Sequence, residues 1–425
     1  MKNSLLSSGI LLGVKIKKKL YIIGAGLAGL STACHSVKKN FDVEIFEATK
    51  NAGGRCRSFY DKKLGLEIDN GNHLIFSANS NFLNYCKLIG SKNTLKIYEP
   101  KFHFFDLINQ HDWSIKINDG PLPFWIFNKN NRVPDTSLVD YLSFLKILVC
   151  KETDTISDLF YNNKILLTSF WEPLTLGVLN SSCDQASAYL ILNVLKKTFF
   201  KGGKFCKIIQ PEQNWNKTLI NPSLEYLKKN KINLNYNSSL KKIIIKNNFV
   251  SELIFNKDTK KVKNEDMVIL STPMSMLKKI FPNIILPTEN NTILNIHFKI
   301  RIKSKYNPLF GMLNSISHWV FIKRDHISVT VSAANRMNDS DSNEIAKKIW
   351  LEVSQVFKLE KKLPEYQVIK EKKATYNQSP KNIKLIQEIT NLPKNLRLAG
   401  DWTQKNFPCT IESAILSGKN SLIIN

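Results

Sequence analysis

Three glycines near the N-terminus have the spacing of a turn that binds phosphate groups. Gly24, Gly26 and Gly29 form the pattern G-x-G-x-x-G directly after the apolar run Leu20–Ile23. The first glycine allows a tight turn, the second lets a pyrophosphate approach the backbone, and the third lets the following helix pack closely against the strand. The amides at the start of that helix would attract the same anionic group. The motif therefore predicts a strand–turn–helix unit that binds a dinucleotide.

An acidic residue stands where such a unit meets its nucleotide. The run Phe41–Glu47 predicts a second strand, and a carboxylate at its end contacts the ribose hydroxyls of an adenosine cofactor. The next turn contains Gly53, Gly54 and Arg55, and a guanidinium beside backbone amides is suited to neutralising a pyrophosphate. The alternative is a surface loop with a solvated arginine. Because the turn directly follows a dinucleotide-binding unit, we favour the pyrophosphate role.

The C-terminal segment contains a second strand–loop–helix pattern. Asn395–Trp402 predicts a strand that ends at Gly400 and Asp401. After a short loop, Pro408 begins a predicted helix that has Gly418 near its end, which fits the usual positions of proline and glycine in helices. The amides at the start of this helix would also point at an anionic group.

The middle of the chain differs in kind from both ends. Aromatic runs such as Phe124–Phe127 predict short strands, whereas apolar spacing near 3.6 residues predicts helices over Leu138–Val149 and Ala186–Leu195. Further along, Ile293–Ile302 predicts a strand and Ser342–Phe357 a helix. A chain of 425 residues is expected to form two domains. The predicted boundaries give residues 18–99, 208–285 and 393–425 to a cofactor-binding domain, and residues 100–207 and 286–392 to a substrate domain.

The net charge of +26 is the outlier in an otherwise ordinary composition. It is compatible with a composition bias towards lysine, asparagine and isoleucine, with attraction to an anionic membrane surface, or with nucleic-acid binding. The lysines are dispersed and no aromatic residues alternate with them in a nucleic-acid motif. The sequence therefore predicts no nucleic-acid partner and leaves the first two explanations open.

Seven widely spaced cysteines predict a reducing compartment. Their number is odd and no C-x-x-C occurs, so neither a disulfide framework nor a zinc site is expected, and no other metal site is predicted. Residues 4–14 are mildly apolar but short, and are interpreted as a disordered leader. No segment has the length of a transmembrane helix. The predicted location is cytoplasmic, with peripheral contact to the inner membrane as an option.

With both ends in view, the sequence resembles the superfamily of flavin amine oxidases and phytoene desaturases. Its members share the N-terminal glycine motif, a G-G-R turn after the acid-ended strand, and a C-terminal A-G-D followed by a helix. Here these are Gly24–Gly29, Gly53–Arg55 and Ala399–Asp401. The resemblance implies FAD as the cofactor. It also implies the α/β class: a Rossmann-like FAD-binding domain with an inserted mixed α+β substrate domain, the two-domain fold of amine oxidases.

The resemblance implies a role for each motif in FAD binding. The glycine turn and Arg55 would hold the pyrophosphate, Glu47 the adenosine ribose, and Asp401 the ribityl–pyrophosphate region. The amides around Thr410 and Ile411 would face the N1–O2 edge of the flavin. The complete implied set is Gly24, Gly26, Leu27, Ala28, Gly29, Glu47, Gly54, Arg55, Gly71, Asn72, His73, Leu240, Gly400, Asp401, Thr410 and Ile411.

Within this superfamily the sequence looks like the hydroxysqualene dehydroxylases of bacterial hopanoid synthesis. The resemblance lies in Asp69–Leu74, in Trp171–Leu195 and in the two C-terminal motifs, although the family usually has glutamine at Asn72 and glycine at Ser413. It implies reductive removal of the hydroxyl of hydroxysqualene, an allylic alcohol, to give squalene. It further implies a hydrophobic isoprenoid substrate, contact with the membrane, and association with other enzymes of squalene synthesis.

No residue is assigned as the catalytic acid, and two candidates each have a structural alternative. His73 would lie beside the isoalloxazine, but a histidine at such a place often serves packing. Glu172 could donate a proton if apolar burial raised its pKa. The alternative, which we favour, is a buried carboxylate bonded to backbone amides or to an arginine.

Three other functions remain open at this point. Carotenoid desaturases or isomerases share the C-terminal motifs but are generally longer chains. Amine oxidases need an aromatic pair facing the flavin, and no tyrosine stands near Trp402 in the terminal segment. A non-catalytic flavoprotein that holds other isoprenoid enzymes together is the remaining alternative. Only one G-x-G-x-x-G is present, so no separate NADPH domain is expected.

Overall fold

A five-stranded parallel sheet joins the N-terminal, central and C-terminal parts of the chain. The computed structural model describes residues 17–302 and 308–423, so the predicted leader at residues 4–14 lies outside them. Ile22 on the central strand pairs with Ile45 on one side and Ile269 on the other, and all three are fully buried. Continuous apolar runs of this kind are typical of parallel strands covered on both faces. In spatial order the strands are Asn233–Asn235, Phe41–Phe46, Lys18–Ile23, Met267–Leu270 and Leu396–Leu398.

The first and last helices of the chain pack against each other beside this sheet. They are Leu27–Ser36 and Ile411–Asn420. Ser31 Oγ donates a hydrogen bond to the carbonyl of Ile415 at 2.8 Å. A Cβ at Gly418 would lie 2.3 Å from the carbonyl oxygen of Ala28, so only glycine permits this approach. The contact places the N-termini of both helices on the same side of the sheet.

A seven-stranded, mostly antiparallel sheet forms the second layer. Its core packs against the helix Ser342–Phe357, from which Ile349, Trp350 and Val353 are buried. The strand predicted over Ile293–Ile302 is observed at Asn290–Phe298, so it begins and ends a few residues earlier than expected. In spatial order the strands are Tyr366–Tyr376, Asn290–Phe298, Ile327–Val331, Trp319–Ile322, Leu309–Leu313, Lys101–Asp106 and His111–Lys116.

The chain segment between the strand His111–Lys116 and the strand Ile208–Pro211 is helical, and one prediction in it was wrong. Phe124–Phe127 is a 3₁₀-helix rather than a strand, because Pro121 and Pro123 cannot donate to a ladder and Asn118 Oδ1 accepts the N–H of Trp125. The helix predicted over Leu138–Val149 is present at Val139–Val149, as a 3₁₀-helix. The other helical elements from 129 to 205 are Lys129–Asn131, Ile156–Phe160, Lys164–Leu166, Leu167–Trp171, Glu172–Leu179, Ala188–Lys197, Phe199–Lys201 and Gly203–Phe205.

The remaining elements connect the two layers. Small sheets are formed by Ser58–Asp61 with Leu66–Asp69, by Ile75–Phe76, Ile208–Pro211 and Leu95–Tyr98, and by Leu240–Lys246, Phe249–Phe255 and Thr259–Lys261. The remaining helical elements are Gly54–Cys56, Ser80–Leu88, Lys92–Thr94, Asn216–Ile220, Asn221–Lys229, Met274–Ile280, Ala334–Met337, Pro380–Gln387 and Asp401–Thr403.

Among the described helices, none combines the length and the apolar character that crossing a bilayer requires. All seven cysteines are unpaired. The domain boundaries predicted from the sequence stay a prediction, although the two large sheets draw their strands alternately from the predicted segments.

Candidate active site

One cavity of about 1230 Å³ lies between the two large sheets and reaches both helix N-termini. One end is lined by the glycine turn, Glu47 and the C-terminal motif, and we call it the glycine end. The other end is lined by aromatic and aliphatic side chains of the inserted region and the seven-stranded sheet, and we call it the aromatic end. A site of this size accommodates a large cofactor together with a long apolar ligand.

The glycine turn is fixed by close backbone contacts. Gly24 has a φ of +104°, and a Cβ there would lie 2.3 Å from the carbonyl oxygen of Ser271. A Cβ at Gly29 would lie 1.9 Å from the carbonyl oxygen of Gly24. At Gly26, by contrast, a Cβ would meet no atom within 4 Å, so the backbone is open to the cavity there. The turn therefore fits a ligand that approaches the backbone at Gly26, as a pyrophosphate does.

Glu47 lies beside this turn with its carboxylate held in place. One oxygen, Oε2, accepts the N–H of Ala25 at 2.9 Å, and Oε1 accepts both the N–H and the hydroxyl of Thr49. A carboxylate has about four acceptor positions, so further donors such as ribose hydroxyls can still be accommodated. Glu47 lines the glycine end, as does Leu240 on the neighbouring small sheet.

Arg55 connects the N-terminal and C-terminal motifs. Its Nη2 lies 2.7 Å from Asp401 Oδ1, and its Nη1 donates to the carbonyl of Ala374. The ion pair with Asp401 raises the pKa of Arg55, so the guanidinium stays charged. The Arg55 side chain is 44% exposed and lines the cavity, whereas Asp401 is buried. The structure thus brings together two residues that are far apart in sequence.

The last helix begins at the cavity wall. Thr410 is its N-cap, and Thr410 Oγ1 accepts the N–H of Ser413 at 3.2 Å. Ser413, where the resembling family usually has glycine, donates its hydroxyl to the carbonyl of Pro408 at 2.6 Å. The carboxylate of Glu412 accepts the backbone N–H groups of Asn81 and Phe82. These bonds fix the N-terminus of the neighbouring helix Ser80–Leu88 against the last helix. The positive end of the last helix dipole therefore faces the cavity.

A polar corner lies where the turn Asp69–His73 meets the seven-stranded sheet. Asn72 Nδ2 donates to Ser328 Oγ at 2.7 Å and to Thr330 Oγ1 at 3.0 Å, and Thr330 donates in turn to Asn295 Oδ1. The Oδ1 of Asn72 is buried and has no partner. The sequence analysis missed Ser328, Thr330 and Asn295. Polar residues within otherwise apolar strands were the signal that could have indicated them.

His73 lies in the same turn and carries no charge at neutral pH. Burial lowers its pKa to about 4, an effect that nearby Asp69 opposes. Its Nε2 is buried without a hydrogen-bond partner, and its ring packs edge-on against Trp215. The residue lines the cavity with a neutral imidazole.

Glu172 does not reach the cavity, in contrast to its candidacy as an acid. Its Oε2 accepts the backbone N–H of Cys183 at 2.9 Å, and neighbouring Pro173 and Leu174 line the cavity instead. This geometry matches the structural alternative, a carboxylate held by a backbone amide. We therefore assign Glu172 no part in the chemistry.

The aromatic end is continuous with the polar corner. Trp319 pairs with Gly311 on one neighbouring strand and with Thr330 on the other, so ring and hydroxyl stand side by side. Phe104 contacts Trp319, with ring centroids 5.7 Å apart. A Cβ at Gly311 would lie 2.5 Å from the Phe104 ring, so glycine makes room for this aromatic row. The other aromatic side chains at this end are Phe102, Phe170, Phe199, Phe321 and Tyr376.

The remaining predicted residues also border this cavity. Gly71, Asn72 and His73 form one edge of the cavity. Gly54 lies close to the glycine turn, because a Cβ at Gly54 would be 3.3 Å from the Cα of Gly26. The predicted residues that line it are Gly24, Gly26, Leu27, Ala28, Glu47, Gly54, Arg55, Gly71, Asn72, His73, Leu240, Gly400, Asp401, Thr410 and Ile411, while Gly29 packs behind the turn.

Comparison with known proteins decides the family. The sequence model of the flavin containing amine oxidoreductases matches residues 27–421. A hydroxysqualene dehydroxylase of Zymomonas mobilis is 35% identical over 94% of this chain and 97% of its own length. That of Sinorhizobium fredii is 33% identical over 95% of this chain and 97% of its own. The chain belongs to the hydroxysqualene dehydroxylase family of flavin-containing amine oxidoreductases.

Family membership confirms FAD as the cofactor, oxidoreductase as the enzyme class, and the recognition made from the motifs. Likeness to carotenoid desaturases is weaker: a zeta-carotene desaturase of Zea mays is 27% identical over 42% of this chain and 35% of its own length. Among solved structures, cyclohexylamine oxidase from Brevibacterium oxydans superimposes with a TM-score of 0.70 at 11% identity, covering 96% of this chain and 98% of that one. This confirms the amine oxidase-like fold.

Proposed function

We propose that this enzyme removes the hydroxyl of hydroxysqualene and yields squalene. The observation that carries the proposal is the likeness to enzymes of that name over nearly the full length of both chains. The cavity supports it, because a glycine end suited to FAD is continuous with an aromatic end suited to a polyene. The zeta-carotene desaturase of Zea mays, which represents the desaturase alternative, matches only part of the chain.

In this proposal FAD occupies the glycine end. The backbone at Gly26, Leu27 and Ala28 would hold the pyrophosphate, which the guanidinium of Arg55 would neutralise. Glu47 would accept the ribose hydroxyls. The N-terminus of the last helix, at Thr410 and Ile411, would stabilise negative charge on a bound group.

The reaction replaces a C–O bond by a C–H bond. The hydroxyl takes up a proton and leaves as water, and the allylic cation that remains accepts a hydride. Bound reduced flavin is the source of that hydride. Ring faces at the aromatic end, such as those of Phe104, Phe170 and Trp319, would stabilise the cation and exclude water from it.

The polar corner favours an alcohol substrate over a hydrocarbon. Asn72 Oδ1 and His73 Nε2 are buried at the cavity without partners, and an unpaired buried polar atom is costly. We propose that a hydroxyl group, or the water formed from it, hydrogen-bonds in this corner, which requires these side chains to turn towards the ligand. A desaturase substrate such as phytoene is entirely apolar and would leave both atoms unpaired. This is the structural distinction between the main proposal and the carotenoid alternative.

An anaerobic single-turnover experiment tests the reaction. Photoreduced holoenzyme is mixed with hydroxysqualene, the flavin absorbance is followed, and the extracted lipid is analysed by mass spectrometry. We expect flavin reoxidation with one squalene formed per flavin. Unchanged reduced flavin, together with dehydrogenation of phytoene-like polyenes by the oxidised enzyme, would replace the proposal by the desaturase alternative. Flavin that reacts with neither lipid would favour a non-catalytic flavoprotein.

We also propose that the enzyme works in the cytoplasm at the inner membrane, in contact with other enzymes of squalene synthesis. A hydrocarbon of this size has negligible solubility in water, so transfer from lipid to cavity has to be direct. The charge of +26 would add attraction to anionic lipid. Flotation of the holoenzyme with anionic vesicles tests the membrane contact, and absence of flotation at every salt concentration would contradict it.

A further inference from the structure

We infer that the exposed face of the 3₁₀-helix Val139–Val149 inserts into the lipid bilayer from which the cavity is loaded. The inference rests on the proposed function and names the surface by which its substrate arrives. We call Val139, Leu142, Leu145 and Leu148 the apolar ridge.

The helix has an unusual length that aligns these four side chains. A 3₁₀-helix has three residues per turn, so side chains three positions apart lie directly above one another, and runs longer than three or four residues are uncommon. This one extends over 11 residues. The members of the apolar ridge are between 50% and 72% exposed. A second row on the same helix faces the protein core, and it consists of Tyr141, Phe144 and Ile147.

The apolar ridge is part of a larger exposed apolar surface. More than half of the large apolar side chains that are exposed in residues 17–302 and 308–423 lie between positions 122 and 165. Trp125 packs edge-on against Tyr141, which ties the helix Phe124–Phe127 to the ridge helix and leaves Phe124 and Phe127 exposed. Surfaces of this kind mark interaction sites rather than ordinary solvent-facing protein.

The ridge helix also contacts the wall of the cavity. Phe144, on its inner row, packs against Phe170 with ring centroids 4.9 Å apart, and Phe170 lines the aromatic end. The ridge helix, through its inner row, is therefore all that separates the apolar ridge from the cavity wall at Phe170. We take the occupant to be a bilayer, because the substrate of the proposed reaction is a lipid and the ridge lies one helix away from the cavity that would receive it.

Local charge neither attracts nor repels an anionic surface. Basic and acidic residues balance between positions 122 and 165. Attachment at the ridge therefore comes from apolar insertion, while the net charge of +26 on the whole chain supplies long-range attraction that salt screens. The basic residues are Lys129, Arg132, Lys146, Lys151 and Lys164, and the acidic ones are Asp135, Asp140, Glu152, Asp154 and Asp158.

The test compares two triple variants of the holoenzyme with vesicles of phosphatidylcholine and phosphatidylglycerol. One carries Leu142→Ser, Leu145→Ser and Leu148→Ser. The matched control carries Ile97→Ser, Ile108→Ser and Leu351→Ser, which are exposed elsewhere to a similar degree. We expect the ridge variant to lose at least about tenfold in vesicle partitioning and the control to bind like the wild type.

Activity measured in two ways separates this inference from the proposed reaction. With hydroxysqualene embedded in vesicles, the ridge variant should form squalene at least about tenfold more slowly, whereas in detergent micelles it should match the wild type. A single change, Leu145→Asp, should act in the same direction and guards against misfolding of the triple variant. Equal flotation of ridge variant and wild type would overturn the inference, as would a wild-type dimer that the ridge variant dissociates. Absence of squalene from the wild type in micelles would instead refute the reaction.

Discussion

The two ends of the cavity are built in different ways. At the glycine end, the position of the backbone is fixed by contacts that allow no Cβ, as at Gly24 and Gly29, and charged groups are paired, as in Arg55 with Asp401. At the aromatic end, rings such as Phe104 and Phe170 pack without directional bonds. We expect the first to be intolerant of small changes and the second to accept conservative ones. The predictions below follow that contrast.

The largest effect is expected at the glycine turn, where two alanine variants are compared. One adds a Cβ against the protein backbone, and the other adds a Cβ on the side that is open to the cavity. Gly29→Ala places a Cβ 1.9 Å from the Gly24 carbonyl oxygen and should destabilise the protein by about 3 kcal/mol and abolish FAD retention. Gly26→Ala meets no protein atom within 4 Å, so it should preserve apoprotein stability while lowering FAD affinity about tenfold. Thermal unfolding and flavin content per chain measure both. Equal behaviour of the two variants would refute the assignment of Gly26 as the open position.

A smaller effect is expected at the ion pair between Arg55 and Asp401, which joins the N-terminal and C-terminal motifs. Asp401→Asn removes the anionic partner of Arg55 and should weaken FAD binding by about 1–2 kcal/mol, since a charge-assisted hydrogen bond is lost in a partly exposed pair. Isothermal titration of the apoprotein with FAD measures this. Glu365→Gln, which breaks the exposed pair with Lys299, is the control and should leave FAD affinity unchanged. Unaltered affinity in the Asp401 variant would separate this pair from cofactor binding.

At the aromatic end the expected effect is on turnover alone. Phe170→Leu should lower the rate of squalene formation about three- to tenfold by weakening the stabilisation of the cation, with flavin content unchanged. Phe298→Leu changes an equally buried aromatic residue of another hydrophobic cluster and should reduce stability but not the rate per bound flavin. Single-turnover kinetics distinguish them. Loss of FAD from the Phe170 variant would show that the two ends are not independent.

The smallest effect concerns protonation of His73. Its pKa is lowered to about 4 in the folded protein, so between pH 6.5 and 4 the unfolded chain binds the proton and stability falls as the pH decreases. His73→Gln removes this contribution, so the loss of unfolding free energy between pH 7 and pH 5 should shrink by about 1 kcal/mol. Denaturant unfolding at both pH values measures it. An unchanged pH dependence would mean that folding does not shift the pKa of His73.

The contrast between the two ends also explains what the sequence could predict. The glycine end rests on steric requirements that select single residue types, so Gly24 and Gly29 were recognisable from spacing, whereas the role of Asp401 was implied by the family resemblance. The polar corner depends on register across the sheet, which places Asn295 beside Thr330, and spacing along one strand does not contain that information. The fold class was predictable because whole strands and helices carry its pattern.

The type of one helix and the role of one candidate residue could not be decided from the sequence. The spacing in Leu138–Val149 indicated a helix, which the structure has, but did not distinguish an α-helix from a 3₁₀-helix. Only the structure separates an inner row from an exposed one there. For Glu172 the sequence left both an acid and a structural carboxylate open, because it does not reveal that the amide of Cys183 lies within hydrogen-bonding distance.

A crystal structure of the oxidised holoenzyme with hydroxysqualene tests the central claim most directly, since the oxidised flavin cannot reduce the substrate. We predict the pyrophosphate of FAD at the open backbone of Gly26, the hydroxyl at Asn72 and His73, and the polyene along Phe104 and Phe170. A polyene bound outside this cavity, or a hydroxyl directed away from the polar corner, would contradict the account.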